Sequence, residues 1–254
     1  MSAWGQAAFY SGLIVLGALA GAALPLFGRS ENGRITILAF AAGVMLGAGF
    51  FHMLPEALEQ GGVRVLAFTP LGFLIMFLLE RYVFVHACEE PPDCKEHSHA
   101  GAALGLTAFF GLAAHTVFDG IALGSSIVEG VGATTFLAIL AHKIPSSLSL
   151  AAILKSEGRS RRSILLYALV FGAMVPVGAV LYFFFDAATH LTTLAPKALA
   201  LSAGTFLYIA VSDLLPHINR HGRENRFRNV MGLLLGMGVM FLLSRYLHEG
   251  RSAP

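Results

Sequence analysis

Apolar residues in this chain come in long runs, not in stripes. Eight stretches of mainly apolar positions, at 7–27, 35–58, 65–85, 101–127, 131–154, 164–186, 198–218 and 230–247, alternate with short polar breaks. A helix needs roughly 20 such residues to cross about 30 Å of hydrocarbon. Helices are the natural spanning element because they pair every backbone N–H and C=O internally. The pattern therefore predicts an all-α integral membrane protein with eight transmembrane helices. Gly17, Ala18, Gly21, Gly43 and Gly47 suit close helix–helix approach.

Composition agrees. Of 254 residues, 56% are hydrophobic and only 13% charged, about half the charged share of a soluble domain. Two cysteines, Cys88 and Cys94, do not indicate a disulfide scaffold. Residues 1–6 lack Lys and Arg, so the basic start of a secretory signal is missing and the first run is expected to remain as a span. Short connections leave little room for a separate soluble domain, so residues 1–254 are expected to form a single transmembrane domain.

The net charge of +2 says little, but its placement says more. The first, third, fifth and seventh connections carry Arg29, Arg34, Lys95, Lys155, Arg159, Arg161, Arg162, Arg220, Arg223, Arg226 and Arg228. The opposite side carries Arg64, Lys197, Arg245 and Arg251. Basic loops stay cytoplasmic, so both termini are expected outside the cytoplasm. The expected location is the plasma membrane, the inner membrane in a bacterium. The expected surroundings are lipid, with no nucleic-acid partner.

Two spans share a pattern. The second reads His52-Met-Leu-Pro55-Glu56 and the seventh reads Asp213-Leu-Leu-Pro216-His217. Each has an ionisable residue, two apolar residues, a proline and a second ionisable residue. The two spans run in opposite directions, which fits an inverted repeat of spans one to three and six to eight around a central pair. Secondary transporters place a midplane site between such repeats.

The central pair carries the chemistry. The fourth span contains His115 and Asp119, four apart and so on one helical face. The fifth places His142 and Ser146 the same way, with Lys143 between them. If the faces meet, His115, Asp119 and His142 offer two imidazoles and a carboxylate, a common set for zinc, with a fourth position for water or Ser146. Mixed N/O ligation suits a site that must also release its ion. Pro145, with Gly120 and Gly124, loosens both helices beside the ligands. A lone intramembrane His can instead bond a neighbouring helix. A cluster that includes an intramembrane Asp, costing roughly 2.5–3.5 kcal/mol to insert, is hard to assign to packing alone.

With these residues in view, the sequence resembles the ZIP (Zrt/Irt-like) family of divalent metal transporters. The matching pieces are His52 to Glu56, His115 to Gly124, His142-Lys143-Ile144-Pro145, and Gly204 to Pro216. The resemblance implies a central metal site on spans four and five, outward termini, a homodimer, and movement of one helix bundle against another. It also implies movement of metal towards the cytoplasm. Members with two adjacent metals often have Asn after the fourth-span His and further carboxylates in the fifth span. Here Thr116, Lys143 and Ser146 stand at those places, and Val175 precedes Pro176 in the sixth span. A protonated lysine has three donors and no lone pair. One metal is therefore expected, with Lys143 supplying the charge of a second.

His52, Glu56, Asp213 and His217 form a second polar set near helix ends, either entry and exit ligands or interfacial residues in water. Residues 86–100 include Cys88, Cys94, His97 and His99 and form the one long polar connection. They offer soft and borderline ligands for zinc capture, with a solvated linker as the alternative. Met45, Met53, Met76 and Met174 are expected to face lipid or to pack. Zn2+ is the expected cargo; imidazole and carboxylate also accept Cd2+, Fe2+, Mn2+, Co2+ and Ni2+. The rival reading is an intramembrane metal-dependent hydrolase. The chain lacks the His-Glu-x-x-His motif of a zinc protease, so a carrier rather than an enzyme is expected.

Overall fold

The computed structural model describes residues 2–27, 31–84, 99–189, 195–222 and 225–251, with the side chains of 31, 32, 34, 83, 84, 99–104, 107, 186–189, 213, 221 and 247–251 outside the description. Eight helical spans are long and apolar enough to cross a membrane: span 1 (Ala3–Phe27), span 2 (Ile35–Gly61), span 3 (Val63–Tyr82), span 4 (Ala108–Val128), span 5 (Gly132–Ser156), span 6 (Arg161–Phe185), span 7 (Ala195–Arg220) and span 8 (Arg226–Tyr246). Each overlaps one of the eight apolar runs. No strand occurs among the described residues.

Burial separates the spans into two classes. Within the most apolar window of each, 61–72% of spans 2, 4, 5 and 7 is buried, against 17–39% of spans 1, 3, 6 and 8. The four spans that carry ionisable residues mid-helix are thus the inner ones. The others turn Leu16, Leu74, Phe77, Leu166, Phe184 and Leu242 outward, as a lipid-facing surface requires. Met45, Met53 and Met76 are 1–3% exposed, so these three pack and do not face lipid.

Packing falls into two groups. Spans 1, 4, 5 and 6 form one, through pairings of 1 with 5, 1 with 6, 4 with 5 and 4 with 6. Spans 2, 3, 7 and 8 form the other, through pairings of 2 with 8 and 3 with 7. The groups meet where span 2 lies on span 5 and span 4 lies on span 7. Glycine sets the closest approaches. A Cβ on Gly43 would strike the Leu233 carbonyl, and one on Gly236 the Phe40 carbonyl. Gly72 and Gly204 are locked the same way between spans 3 and 7, as are Gly120 and Gly178 between spans 4 and 6. In lipid, such packing replaces the hydrophobic drive that holds soluble helices together.

Spans 2 and 7 are interrupted alike. Each has a six-residue π-helical segment, Ala48–Met53 and Ile209–Leu214, and each segment ends just before a Leu-Pro pair. Proline has no N–H and cannot close the α-helical ladder. In span 2 the Ser244 hydroxyl of span 8 donates to the carbonyl of Phe51, within the π-helical segment. The wide turns place His52 and Asp213 near the ends of the loosened segments.

Candidate metal centre

The faces of spans 4 and 5 do meet. The ligand atoms of His115, Asp119 and His142 all lie within 4.8 Å of one another. His115 Nε2 is 3.3 Å from Asp119 Oδ1, and His142 Nε2 is 3.3 Å from Asp119 Oδ2. Two ligands about 2.1 Å from a tetrahedral zinc stand roughly 3.4 Å apart. The carboxylate thus already sits at ligand spacing from both imidazoles. Helix geometry accounts for the first pair, since i and i+4 share a face. The second pair depends on the packing of span 4 against span 5.

Burial makes the cluster costly unless it is used. His115, Asp119 and His142 are 2%, 7% and 5% exposed. Among the described residues neither nitrogen of His115 has a hydrogen-bond partner, nor does Nδ1 of His142, whereas His142 Nε2 is hydrogen-bonded to Asp119 Oδ2. Buried polar atoms are nearly always satisfied, so orphaned imidazole nitrogens beside a carboxylate are what a cation-binding set looks like. The His115 ring rests edge-on against Phe206 of span 7, at 5.5 Å between centroids, which closes the site on that side.

Span 2 adds a residue that the sequence grouped elsewhere. The His52 ring lies 5.0 Å from that of His142, and His52 and Glu56 line the same cavity as Asp119 and His142. Of the set of His52, Glu56, Asp213 and His217, His52 and Glu56 lie on this cavity. His217 lies half-buried at the other end of span 7. Asp213 is the last residue but one of the π-helical segment, and its side chain lies outside the described residues. His97 also lies outside them, as do the side chain of His99, both cysteines and the 85–98 stretch.

The cavity has a volume of about 340 Å³ and leads from Asp119 and His142 to one end of the bundle. It follows the C-terminal halves of spans 2 and 4 and the first halves of spans 5 and 7. Glu56, Ser125 and Glu129 make its wall polar, and no Lys or Arg among the described residues lines it. Gln60 donates to the Glu56 carboxylate at 2.6 Å, and Ser125 to that of Glu129 at 2.9 Å. Glu129, Ser125 and Gln60 were not singled out from the sequence. Ser126 and Glu129 follow Asp119 by seven and ten residues, a helical spacing that marks them in retrospect. Beyond the centre the same helices are tight, with Ala108, Leu112, Leu150, Ile153 and Leu154 at most 1% exposed.

Two neighbours take other parts. The Ser146 hydroxyl donates to the His142 carbonyl at 2.8 Å and does not line the cavity. Lys143 is 1% exposed and donates to Thr116 Oγ1 at 2.5 Å, while its Nζ stands 3.9 Å from Asp119 Oδ2. Thr116 in turn donates to the Leu112 carbonyl at 2.8 Å.

With this geometry established, comparison with known proteins is decisive. A family model described as ZIP Zinc transporter matches residues 86–244. The chain belongs to the ZIP zinc transporter family. Among curated relatives, the zinc transporter ZIP9 of Micropogonias undulatus is 32% identical over 165 residues, 61% of this chain and 52% of that protein. The zinc transporter ZIP5 of Mus musculus is 35% identical over 162 residues, 61% of this chain and 30% of that protein. The zinc transporter zipt-7.2 of Caenorhabditis elegans is 26% identical over 276 aligned positions, 85% of this chain and 60% of that protein. The chain spans about half the length of its ZIP9 relatives. The matched ZIP region contains spans 4 to 7, and with them His115, Asp119 and His142.

Proposed function

We propose that this ZIP-family protein carries divalent transition metal cations, zinc first, across the membrane towards the cytoplasm. One observation carries the reading: two buried imidazoles, three of whose four nitrogens lack a hydrogen bond among the described residues, and a carboxylate stand at zinc spacing at the inner end of a cavity that leads to one end of the bundle. His115, Asp119 and His142 bind the ion. His52 approaches from the other helix group and supplies a fourth ligand. Glu56 and Glu129 draw cations into the vestibule. Asp213 and His217, at the opposite end of span 7, serve release, and His97 and His99 serve capture after it.

Orientation follows from the basic loops. The cavity end carries the connections at 61–63 and 129–131, which the Lys/Arg bias assigns to the non-cytoplasmic side. The conformer is then outward-facing in the plasma membrane, with both termini outside. Residues 1–254 act as one transporter domain, with 86–100 as a cytoplasmic loop. Two copies form a homodimer. Cd2+, Fe2+ and Mn2+ compete at the same imidazole–carboxylate set.

The helix pairing supports an inverted repeat. Exchange of span 1 with 6, 2 with 7, 3 with 8 and 4 with 5 maps every pairing described above onto itself or onto another of them. The matched π-helical segments before Pro55 and Pro216 support the same symmetry. Such symmetry lets one group move against the other around a fixed site. A single metal is bound, because Lys143 stands on the flank of Asp119 where a second would lie.

Uptake of labelled zinc into proteoliposomes, with His115→Ala as the control and other metals as competitors, tests the proposal. Unchanged uptake in that variant removes the site. The hydrolase reading would gain if purified protein kept its metal against chelators and cleaved a lipid or peptide. A bound count of two zinc ions per chain in the wild type would remove the single-metal reading.

A further inference from the structure

A lysine as deeply buried as Lys143 needs a reason. Its side chain is among the largest with less than 2% exposure, and three groups hold its ammonium. Thr116 Oγ1 of span 4 accepts from it at 2.5 Å. Nζ lies 3.8 Å from the centre of the Phe171 ring of span 6, a cation–π distance. Asp119 Oδ2 is 3.9 Å away, the carboxylate in ion-pair range among the described residues. Lysine, Thr116, Phe171 and Asp119 all belong to spans 4, 5 and 6, so they form part of one helix group.

A carrier that binds a cation at a carboxylate meets a problem on the way back. Once the metal has left, the site must return through low-dielectric surroundings with a bare negative charge. An uncompensated buried charge is far more costly than a paired one. An ion pair that travels together removes the difficulty. We propose that Lys143 is a tethered counter-cation that neutralises Asp119 during the return of the empty site; this rests on the carrier reading above. Charge accounting makes the role specific. With neutral imidazoles, Zn2+, Asp119 and Lys143 sum to +2 when loaded and to zero when empty. Without the lysine charge, the loaded site carries +1 and the empty site −1. The net charge moved per cycle is unchanged, but the empty step changes from neutral to charged.

Lysine also explains why the binding site need not hold its cargo tightly. Zinc enters opposite a resident positive charge, which opposes it without occupying a ligand position. Release is then eased by the group that prepares the return.

The experiment separates the two half-steps. Labelled zinc uptake into proteoliposomes is measured with chelator inside, where every cycle includes an empty return. It is measured again with unlabelled zinc inside, where exchange proceeds through the loaded site alone. Lys143→Met removes the ammonium, and Lys143→Gln removes the charge while keeping a donor for Thr116. In both variants net uptake should fall at least tenfold relative to exchange, and Lys143→Arg should restore the wild-type ratio. A parallel fall in both modes, as a merely structural lysine would give, overturns the proposal, and so does an unaltered ratio. Absence of uptake by the wild type in either mode would instead remove the carrier reading.

Discussion

The two halves of spans 4 and 5, on either side of the candidate metal centre, are built from opposite materials. Towards the cavity, Ser125 and Ser126 of span 4 and Glu129 just after it face Thr134 and Thr135 of span 5 across about 340 Å³ of space. On the other side Ala108, Leu112, Leu150, Ile153 and Leu154 close the same pair of helices. The site thus lies at a boundary between a wet half and a dry half. The difference teaches that access is one-sided by packing, while the ligands themselves are common to both sides. A carrier needs that division, since the ion must meet only one compartment at a time.

The largest effect should come from the boundary itself. Asp119→Ala deletes the carboxylate shared by both imidazoles. It should lower zinc uptake by more than the roughly 10–100-fold seen for residues that only support metal ligands. Titration calorimetry should show the same loss as reduced binding, and normal binding would break the comparison at its centre.

Next come the tight contacts that hold each group rigid. Gly43→Leu would drive a side chain into the Leu233 carbonyl, and overpacking of this kind costs about 1–3 kcal/mol. Thermal unfolding in detergent should show a lower Tm. Gly12, with nothing within 4 Å of a would-be Cβ, is the control and should tolerate Ala.

The wet half should respond more gently. Glu56→Gln with Glu129→Gln removes two negative charges from a vestibule with no Lys or Arg among its described lining residues. A field of this kind concentrates and steers cations and is screened by salt. The double variant should raise KM for zinc about 3–10-fold with little change at saturating zinc. The gap should narrow at high ionic strength, and a loss independent of salt would argue against steering.

The dry half offers a pH-dependent counterpart. Glu157, just past span 5, accepts the Gly105 N–H, lies 3.5 Å from Arg159 Nε and has a side chain only 3% exposed. Burial pushes its carboxyl above the usual carboxylate range, against the pull of Gly105 and Arg159. The folded protein therefore holds this proton more tightly than the unfolded chain. Its stabilising share is complete below the unfolded value and is lost as pH rises through the folded one. Glu157→Gln keeps an acceptor for Gly105 without the charge. It should gain stability relative to wild type as pH rises from the usual carboxylate range to neutrality, read as Tm against pH. A difference that does not vary with pH would refute the burial argument.

The smallest effect belongs to Ser244. Its hydroxyl donates to the Phe51 carbonyl of the π-helical segment, and hydrogen bonds between membrane helices average about 0.6 kcal/mol. Ser244→Ala should lower Tm slightly, with a measurable slowing of uptake only if the π-helical segment shifts His52.

Much of this was legible in the residues, and the reasons are physical. Spans are readable because a bilayer imposes a length and an apolar composition on each crossing, so 35–58 and the observed Ile35–Gly61 nearly coincide. His115 and Asp119 are readable as a pair because one helix sets their geometry. His52 was not readable as a neighbour of His142. Nothing local says which of two polar sets a residue will join when its helix packs elsewhere. Glu129 and Ser125 escaped for a related reason, since a cavity is a gap between helices and leaves no mark on either one. Ser146 shows the converse. Its spacing from His142 was right, but its proton goes to the backbone one turn back.

Composition and order along the chain determined that eight helices form, that they lie in a membrane, and that imidazole and carboxylate meet on one helical face. Hydropathy and helical period are properties of single segments, which is why they survive without a fold. Tertiary structure alone decided that span 2 brings His52 to the centre, that Lys143 stands beside Asp119, and that one end of the site is open while the other is shut. Those facts depend on how closely glycine and alanine let separate helices approach, a matter of contacts between residues far apart in the chain.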